Sequence, residues 1–194
     1  MGVQNICLVS ESPRRLELMH LVCPVFTSMV APLTSEDPYT GTTPKATALA
    51  RARAKAELGQ RIAGQVTETL YIGCDTVVDL DGEIFGKPRD EADARHMLKA
   101  LSGREHSVHT GVCLLHGTFP ARELCESTQL WLAHIPDTDI ESVLKTDEPY
   151  DKAGAYGIQG WAARYVLRIA GCYYNVMGLP VASLYSAIQQ EGFI

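Results

Sequence analysis

Apolar residues recur along the chain in two spacings, which predict an alternation of strands and helices. Residues 5–10 (NICLVS) form an apolar run that is typical of a short buried strand. Ser12 then offers a helix N-cap, and Pro13 suits the first helical position because its missing N–H has no partner there anyway. The serine-rich turn SESPRR is therefore predicted to join a strand to a helix.

The rest of the chain shows patterns of strands, turns and further helices. Residues 70–86 alternate in polarity and turn through the dipeptide Asp81-Gly82, which predicts a β-hairpin. Residues 31–42 are rich in turn formers and predict a loop. Helices are predicted at 43–59, 90–103, 137–146 and 176–192, and antiparallel strands at 107–117 and 124–135.

Composition narrows the class of protein. The chain has 194 residues, of which 46% are hydrophobic and 21% charged, as expected for one globular domain. Its formal net charge of −6 argues against a broad nucleic-acid interface, which would need a basic surplus, so local basic clusters point to a small anionic ligand. The six cysteines show no metal-binding spacing and are expected to be buried thiols in a reducing compartment. No long apolar stretch is present, so we expect a cytoplasmic protein without membrane contact.

The paired arginines of the serine-rich turn are the first candidate binding residues. A helix N-terminus has unpaired N–H groups and a positive dipole end, and Arg14 and Arg15 would add two guanidinium groups to such an anion site. The alternative is a capped helix with two solvated arginines. The turn alone does not decide between these interpretations.

Three further segments carry candidate binding or catalytic residues, but none of them indicates a function by itself. Arg51 and Lys55 are four residues apart and share a helix face, while Arg53 points elsewhere. Asp75 follows an apolar run, at the strand end where α/β folds place catalytic and metal-binding groups, although a lone acid there could merely cap a turn. The glycine-rich segment 148–160 (EPYDKAGAYGIQG) suits a loop that approaches a ligand closely, or else an irregular surface loop.

Eight motifs occur in order from Leu8 to Leu184 and together resemble the Maf family of nucleoside triphosphate pyrophosphatases. They are S-x-S-P-R-R-x-E-L, A-x-x-K-A, C-D-T-V-V, G-K-P, L-S-G-R, H-x-V-x-T-G-V, E-P-x-D-K-A-G-A-Y-G-I-Q-G and N-V-x-G-L-P. The resemblance implies an α/β fold of the inosine-triphosphatase (Maf/Ham) type, with a long mixed sheet and two lobes around a central cleft within one domain spanning residues 1–194. It also implies metal-dependent cleavage between the α and β phosphates, and a homodimer as one option for assembly.

The resemblance assigns roles to individual residues. Asp75 falls on the general-base or metal-holding position, and Glu36 is the best match to the metal-associated glutamate, with Asp37 as the alternative. Thr76 and Gln159, together with the first arginine of SPRR, match the branch that acts on dTTP and UTP. The phosphate contacts implied by the resemblance are Ser10, Arg14, Arg15, Lys55 and Lys87.

The residue types agree with this chemistry on their own terms. A triphosphate requires several cationic donors, and its hydrolysis requires a metal and an acid that holds or deprotonates water. Hard carboxylate ligands such as Asp75 and Glu36, with Glu148 or Asp151 as further candidates, suit Mg²⁺ or Mn²⁺. The sequence thus predicts a pyrophosphatase acting on dTTP, UTP or modified pyrimidine nucleotides; the alternative is a nucleotide-sensing or septum-regulating binding protein with little turnover.

Overall fold

A seven-stranded mixed sheet with helices on both faces organises the part of the chain that the structure describes. The structure is a computed structural model, and it describes residues 5–32, 43–64, 68–117 and 119–193. The strands are β1 (Asn5–Val9), β2 (Thr27–Met29), β3 (Thr69–Leu80), β4 (Glu83–Phe85), β5 (Glu105–His116), β6 (Arg122–Leu132) and β7 (Val166–Ala170). The helices are α1 (Pro13–Val22), α2 (Pro44–Ile62), α3 (Glu91–Leu101), α4 (Asp137–Val143), α5 (Tyr173–Met177) and α6 (Val181–Gln190).

The strand order is β2-β1-β3-β5-β6-β7, with β4 pairing separately with β3. Strand β1 runs parallel to β2 and β3, whereas the pairs β3–β5, β5–β6 and β6–β7 are antiparallel. The predicted long mixed sheet is therefore confirmed, as is the hairpin through Asp81-Gly82 that joins β3 to β4. The division into two lobes stays a prediction from the sequence.

One edge of β3 is left open in the middle of the strand. Strand β5 pairs with β3 from Leu70 to Asp79 along one edge, so β1 and β4 must share the other. On that second edge, β1 pairs with β3 as far as Gly73, and the pairing with β4 starts only at Val78. Residues 74–77 therefore face a gap between two partner strands, where backbone groups of β3 can contact side chains instead.

Helix α2 packs unusually close to the sheet over two glycines. A Cβ atom on Gly73 would lie 2.1 Å from the backbone oxygen of Ala52, and a Cβ atom on Gly111 would lie 2.5 Å from that of Ala48. Both contacts are far shorter than van der Waals distance, so only glycine fits at these two strand positions. The alanines of α2 complete the contact, because any larger side chain would lift the helix off the sheet.

The opposite face of the sheet carries the larger apolar core. Because side chains alternate along a strand, Leu70, Ile72 and Cys74 point to this face while Tyr71 and Gly73 point toward α2. Helices α1, α3, α4 and α6 contribute Leu18, Leu98, Ile140 and Leu184 to this core. Among the described helices, none combines the length and the apolarity that crossing a membrane requires.

Several predicted boundaries are confirmed and others are wrong. The side chain of Thr43 caps α2 by accepting from the N–H of Ala46 at 3.2 Å, and Asp90 caps α3 in the same way. However, α2 does not end at Gly59, because the missing Cβ there admits the side chain of Val9 and the helix continues to Ile62.

The end of the chain also differs from the prediction. The single closing helix predicted over 176–192 is instead α5 and α6, interrupted around Pro180, which cannot continue a helix from the preceding turn. The strands β2 and β7 were not predicted: β2 has only three residues, and β7 lies next to the glycine-rich segment and lacks a clear alternation. Most of the predicted loop at 31–42 lies outside the described residues.

The close contact between α2 and the sheet gives a stability prediction. We expect Gly73→Ala to lower the free energy of unfolding by about 2 kcal/mol or more, because the added methyl group overlaps backbone atoms of α2. Gly86→Ala is the control, since a Cβ there meets nothing within 4 Å. Urea unfolding of both variants would measure the difference, and equal stabilities would contradict the packing argument.

Candidate active site

The gap beside β3 opens into a cleft of about 810 Å³. It is bordered by the β1–α1 junction, the middle of β3, the helix α2 and the segment that follows α4. All the described site residues predicted from the sequence line this cleft: Ser10, Arg14, Arg15, Lys55, Asp75, Thr76, Lys87 and Gln159. Residues that lie far apart in the sequence are thus brought to one place, while their individual roles stay predictions.

Asp75 is the acidic centre of the cleft. Its side chain is only 14% exposed, and its Oδ1 atom accepts a hydrogen bond of 2.6 Å from the Lys55 ammonium. A guanidinium nitrogen of Arg51 lies 3.9 Å from Oδ2. Oδ2 is buried and has no hydrogen-bond partner among the residues that the structure describes, so it retains its capacity to accept. A buried acceptor in this state is suited to a metal ion, a water molecule or a ligand.

The backbone carbonyl of Cys74 accepts hydrogen bonds from two cations that lie on opposite sides of the sheet. Lys55 donates to it at 3.3 Å, and Arg15 donates to it at 3.0 Å. Burial lowers the pKa of Lys55, although the carboxylate of Asp75 acts in the opposite direction. The Cys74 thiol itself is fully buried, and burial raises its pKa to about 11, so it is a protonated packing group and not a nucleophile.

The two adjacent arginines have different environments. Arg15 uses three N–H groups on protein acceptors, donating to the Gly178 carbonyl at 2.7 Å, to the Cys74 carbonyl and to the Thr76 hydroxyl at 2.9 Å. Among the described residues, the polar contacts of Arg14 are confined to Asp151, whose carboxylate lies 3.1 Å away. Arg14 is therefore free to turn toward a ligand, whereas Arg15 fixes the loop after α5 to the strand β3.

The turn before α1 differs from the predicted cap. Ser12 occupies the N-cap position, but its side chain accepts no capping hydrogen bond. Instead, the hydroxyl of Ser10 accepts from the N–H of Ser12 at 3.2 Å and shapes the turn. The N–H groups of the first helical turn consequently lack a capping partner from Ser12, as an anion site at a helix N-terminus requires.

The loop after α4 supplies the other wall of the cleft. Asp151 accepts from Arg14 and from Lys152, at 3.1 and 2.5 Å; burial opposes the effect, but these two cations hold the pKa of the Asp151 carboxyl below its usual value. Glu148 accepts from the N–H of Trp161 at 2.8 Å and packs against the backbone of Gly160. Both acids proposed as additional metal ligands thus already have protein partners.

Lys87 and Gln159, two of the predicted binding residues, lie at the more exposed entrance of the cleft. The Lys87 ammonium lies 3.7 Å from the carboxylate of Glu11, with both side chains more than half exposed. The negative charge of Glu11 is therefore directed to Lys87 at the rim. Gln159 also lines the cleft, and its amide makes no hydrogen bond with any residue in the described ranges.

The inner wall of the cleft is apolar and rigid. It includes Val108, Tyr156, Ile158 and Met177. The hydroxyl of Tyr156 lies 2.6 Å from a ring nitrogen of His106, and burial lowers the pKa of that imidazole to about 4. The pair is thus neutral near pH 7 and holds the Tyr156 ring in place without adding charge to the wall.

Sequence reasoning left Arg51 and Lys152 out of the predicted site, although both line the cleft. The signal for Arg51 was its spacing of one helical turn from Lys55, which does place both cations at Asp75. Lys152 lies beside Asp151 in the glycine-rich segment and donates to the Glu148 carbonyl at 2.6 Å. No periodicity marks that contact, because the segment is a series of short 3₁₀ turns.

A protein-only metal cage is absent from the described part of the chain. No group of three or more His, Cys, Asp or Glu side chains there converges to hold an ion. Glu36 and its alternative Asp37, the predicted metal-associated acids, lie outside the described residues. Asp75, with its free Oδ2 atom, is the described carboxylate best suited to contact a metal.

Comparison with solved structures defines the class of fold. The chain is similar to the Ham1 protein of Staphylococcus aureus, with a TM-score of 0.54 over 97% of this chain and 100% of that one, at 14% sequence identity. A HAM1 protein from Coxiella burnetii gives a TM-score of 0.51 over 98% of this chain and 100% of its own, at 16% identity. At these identities the likeness establishes a Ham1-type α/β fold and nothing more.

Sequence comparison then identifies the family. The family described as Maf-like protein matches residues 5–191, and this chain belongs to it. A dTTP/UTP pyrophosphatase of Carboxydothermus hydrogenoformans is 44% identical over 97% of this chain and 100% of its own length. A dTTP/UTP pyrophosphatase of Porphyromonas gingivalis is 43% identical over 97% of this chain and 94% of its own length. The predicted family and fold are both confirmed.

The contrast between the two arginines can be tested directly. We expect Arg15→Lys to lower the free energy of unfolding by about 2 kcal/mol, because a lysine cannot satisfy three separated acceptors. Arg14→Lys should be nearly neutral for stability, since Arg14 makes one partly exposed ion pair. Chemical denaturation of both variants would decide, and a larger loss for Arg14→Lys would contradict the assignment.

Proposed function

We propose that this protein hydrolyses nucleoside triphosphates to the monophosphate and pyrophosphate, with dTTP, UTP and modified pyrimidine nucleotides as its substrates. One observation carries the proposal: in a cleft large enough for a nucleotide, Lys55 and Arg51 lie beside the buried carboxylate of Asp75, whose Oδ2 atom has no hydrogen-bond partner among the described residues. The names of the relatives described above support the same activity.

The phosphate groups would lie on the cationic side of the cleft. Arg14, Lys55 and Lys87 can provide charge-assisted hydrogen bonds, and Arg51 adds a fourth positive group near Asp75. The N-terminus of α1 and Ser10 would receive a terminal phosphate beside the uncapped first turn. Arg15 would serve mainly to hold this wall together, because most of its N–H groups donate to the protein.

A divalent metal ion, Mg²⁺ or Mn²⁺, fits the residues present. The buried Oδ2 of Asp75 is a hard oxygen donor without a hydrogen bond from the described residues, and a Mg²⁺ site commonly needs only one or two carboxylates beside substrate phosphates. Asp75 would hold the ion, and Glu36 is proposed as the second carboxylate. When bound, such an ion would neutralise charge developing on the phosphates. Asp75 would also orient the attacking water, with its Oδ1 atom held by the Lys55 ammonium.

The base would occupy the apolar side of the cleft. Thr76 and Gln159 are the polar groups there that we assign to base recognition, next to the buried wall formed by Tyr156 and Met177. A glutamine amide carries both a donor and an acceptor, so it can match the N3–H and carbonyl edge that thymine and uracil share. The proposed setting is the cytoplasm, where free thiols such as those found here stay reduced, and a homodimer stays a prediction.

Turnover provides the first test. We expect pyrophosphate release from dTTP and UTP in the presence of Mg²⁺, and we expect Asp75→Asn to reduce the rate by about 10²- to 10⁴-fold while nucleotide binding persists. Asp79→Asn is the matched control, because Asp79 lies on the same strand and contacts His109 and Gly82 outside the cleft.

The outcomes separate the two functions considered from the sequence. Tight nucleotide binding with no pyrophosphate release by the unmodified protein would favour the sensor. An Asp75→Asn variant as active as the unmodified enzyme would show that the catalytic assignment is wrong.

Base choice provides the second test. We expect dTTP and UTP to be cleaved well ahead of CTP, and we expect Gln159→Glu to weaken this preference, because an ionised carboxylate cannot donate. Competition assays with paired substrates measure the ratio directly. An unchanged dTTP-to-CTP ratio in the variant would remove Gln159 from base recognition.

A further inference from the structure

We propose that Thr110, a residue outside the cleft, fixes the orientation of the Thr76 hydroxyl and makes it a pure hydrogen-bond acceptor toward the ligand. Thr110 would thereby be a positioning residue that excludes bases lacking a donor at N3, cytosine in particular. This inference rests on the proposed function, because it assumes that a pyrimidine base contacts Thr76.

The direction of the hydrogen bonds follows from one carbonyl group. The Oγ1 atom of Thr110 lies 3.0 Å from the backbone oxygen of Asn175 and 2.9 Å from the Oγ1 atom of Thr76. A carbonyl oxygen can only accept, so the single hydroxyl proton of Thr110 is directed to Asn175. Thr110 must then accept from Thr76, and the proton of Thr76 is directed away from the cleft.

The hydrogen-bonding positions that Thr76 has left for a ligand can be counted. Its oxygen has two acceptor positions, and a guanidinium N–H of Arg15 occupies one of them at 2.9 Å. Its only proton is used on Thr110. Thr76 is partly exposed and lines the cleft, so one lone pair is all that its hydroxyl can offer a ligand.

The surroundings prevent this arrangement from reversing. Thr110 and Asn175 are both 0% exposed, so no solvent can substitute for either partner. The Asn175 carbonyl also accepts from the N–H of Gly178 at 2.9 Å, and its side-chain amide donates to Val108 and Thr128 at 3.0 Å each. Asn175 is thus held on both sides, and turning the Thr110 proton toward Thr76 would cost the Asn175 carbonyl one of its two hydrogen bonds.

The consequence for base choice follows from the chemistry at N3. Thymine and uracil carry an N–H at this position and can donate to the lone pair of Thr76, while the Gln159 amide donates to a base carbonyl beside it. Cytosine carries a lone pair at N3, which would face the lone pair of Thr76 without a proton between them. A site of this kind rejects the wrong base through an unpaired polar group more effectively than through shape.

The test compares Thr110→Val with Thr110→Ser. Valine keeps the shape but removes the acceptor, so the Thr76 proton becomes free to turn toward the ligand; serine keeps the hydroxyl and serves as the matched control. The readout is the ratio of dissociation constants for CMP and UMP, measured by calorimetry without metal. We expect the ratio to fall about tenfold in Thr110→Val, mostly through tighter CMP binding, and to stay near that of the unmodified protein in Thr110→Ser.

The outcomes distinguish this inference from the proposed function. A ratio unchanged in a folded Thr110→Val variant would overturn the inference, even if the unmodified protein hydrolyses UTP. Equal loss of UMP and CMP binding would also overturn it, because a merely structural role would weaken both ligands alike. Absence of triphosphate turnover in the unmodified protein would overturn the proposed function alone, since the monophosphate ratio does not depend on catalysis.

A second variant covers failure of Thr110→Val to fold. Thr76→Val removes the acceptor itself, so we expect it to lower the CMP-to-UMP ratio of dissociation constants about tenfold through weaker UMP binding, without a gain for CMP. A preserved ratio in Thr76→Val would overturn the inference. Circular dichroism on every variant establishes that the native fold is retained before the ratios are compared.

Discussion

The contact between α2 and the two glycines of the sheet determines the position of the two cations that flank Asp75. Without a Cβ on Gly73 or Gly111, the helix approaches until its backbone meets the strands. Arg51 and Lys55 project from the same helix and reach Asp75 only at this separation. The interaction that brings these charges together is therefore steric, and the electrostatics follow from it.

The gap beside β3 explains how cations from two layers can share one strand. Where β1 has ended and β4 has not begun, the Cys74 carbonyl accepts from Lys55 on one side and from Arg15 on the other. In a continuous sheet this oxygen would pair with a neighbouring strand. Interrupted pairing thus provides a fixed negative dipole that offsets the repulsion between the two cations, even before a ligand contributes any charge.

The sequence predicts the parts of this molecule that depend on local chemistry. The caps of Thr43 and Asp90 and the shared face of Arg51 and Lys55 follow from spacing within one element. The order of motifs also predicts which residues meet in the cleft. What spacing could not predict depends on distant contacts, such as the packing of Val9 in the space that a Cβ on Gly59 would occupy, within a helix that continues to Ile62.

The different environments of the two arginines could not be predicted from the sequence either, because they too depend on distant contacts. Arg14 and Arg15 are identical in type and adjacent in sequence, but their acceptors lie in segments more than fifty residues away. Likewise, the motif H-x-V-x-T-G-V includes Thr110 but does not reveal its role, because its partners are on a neighbouring strand and in α5. Hydrogen-bond direction is a property of the assembled network, and it becomes visible only when every donor and acceptor has been placed.

The pleat of β3 has a consequence for how such a protein can change over evolutionary time. Asp75 and Thr76 are neighbours in the chain, yet they project from opposite faces of the strand, Asp75 toward Lys55 of α2 and Thr76 toward Arg15 and Thr110. A residue inserted or deleted just before them would exchange these faces and ruin both environments at once. Substitution can alter either side chain separately, whereas a change in strand length cannot, so insertions should be confined to the loops around this strand.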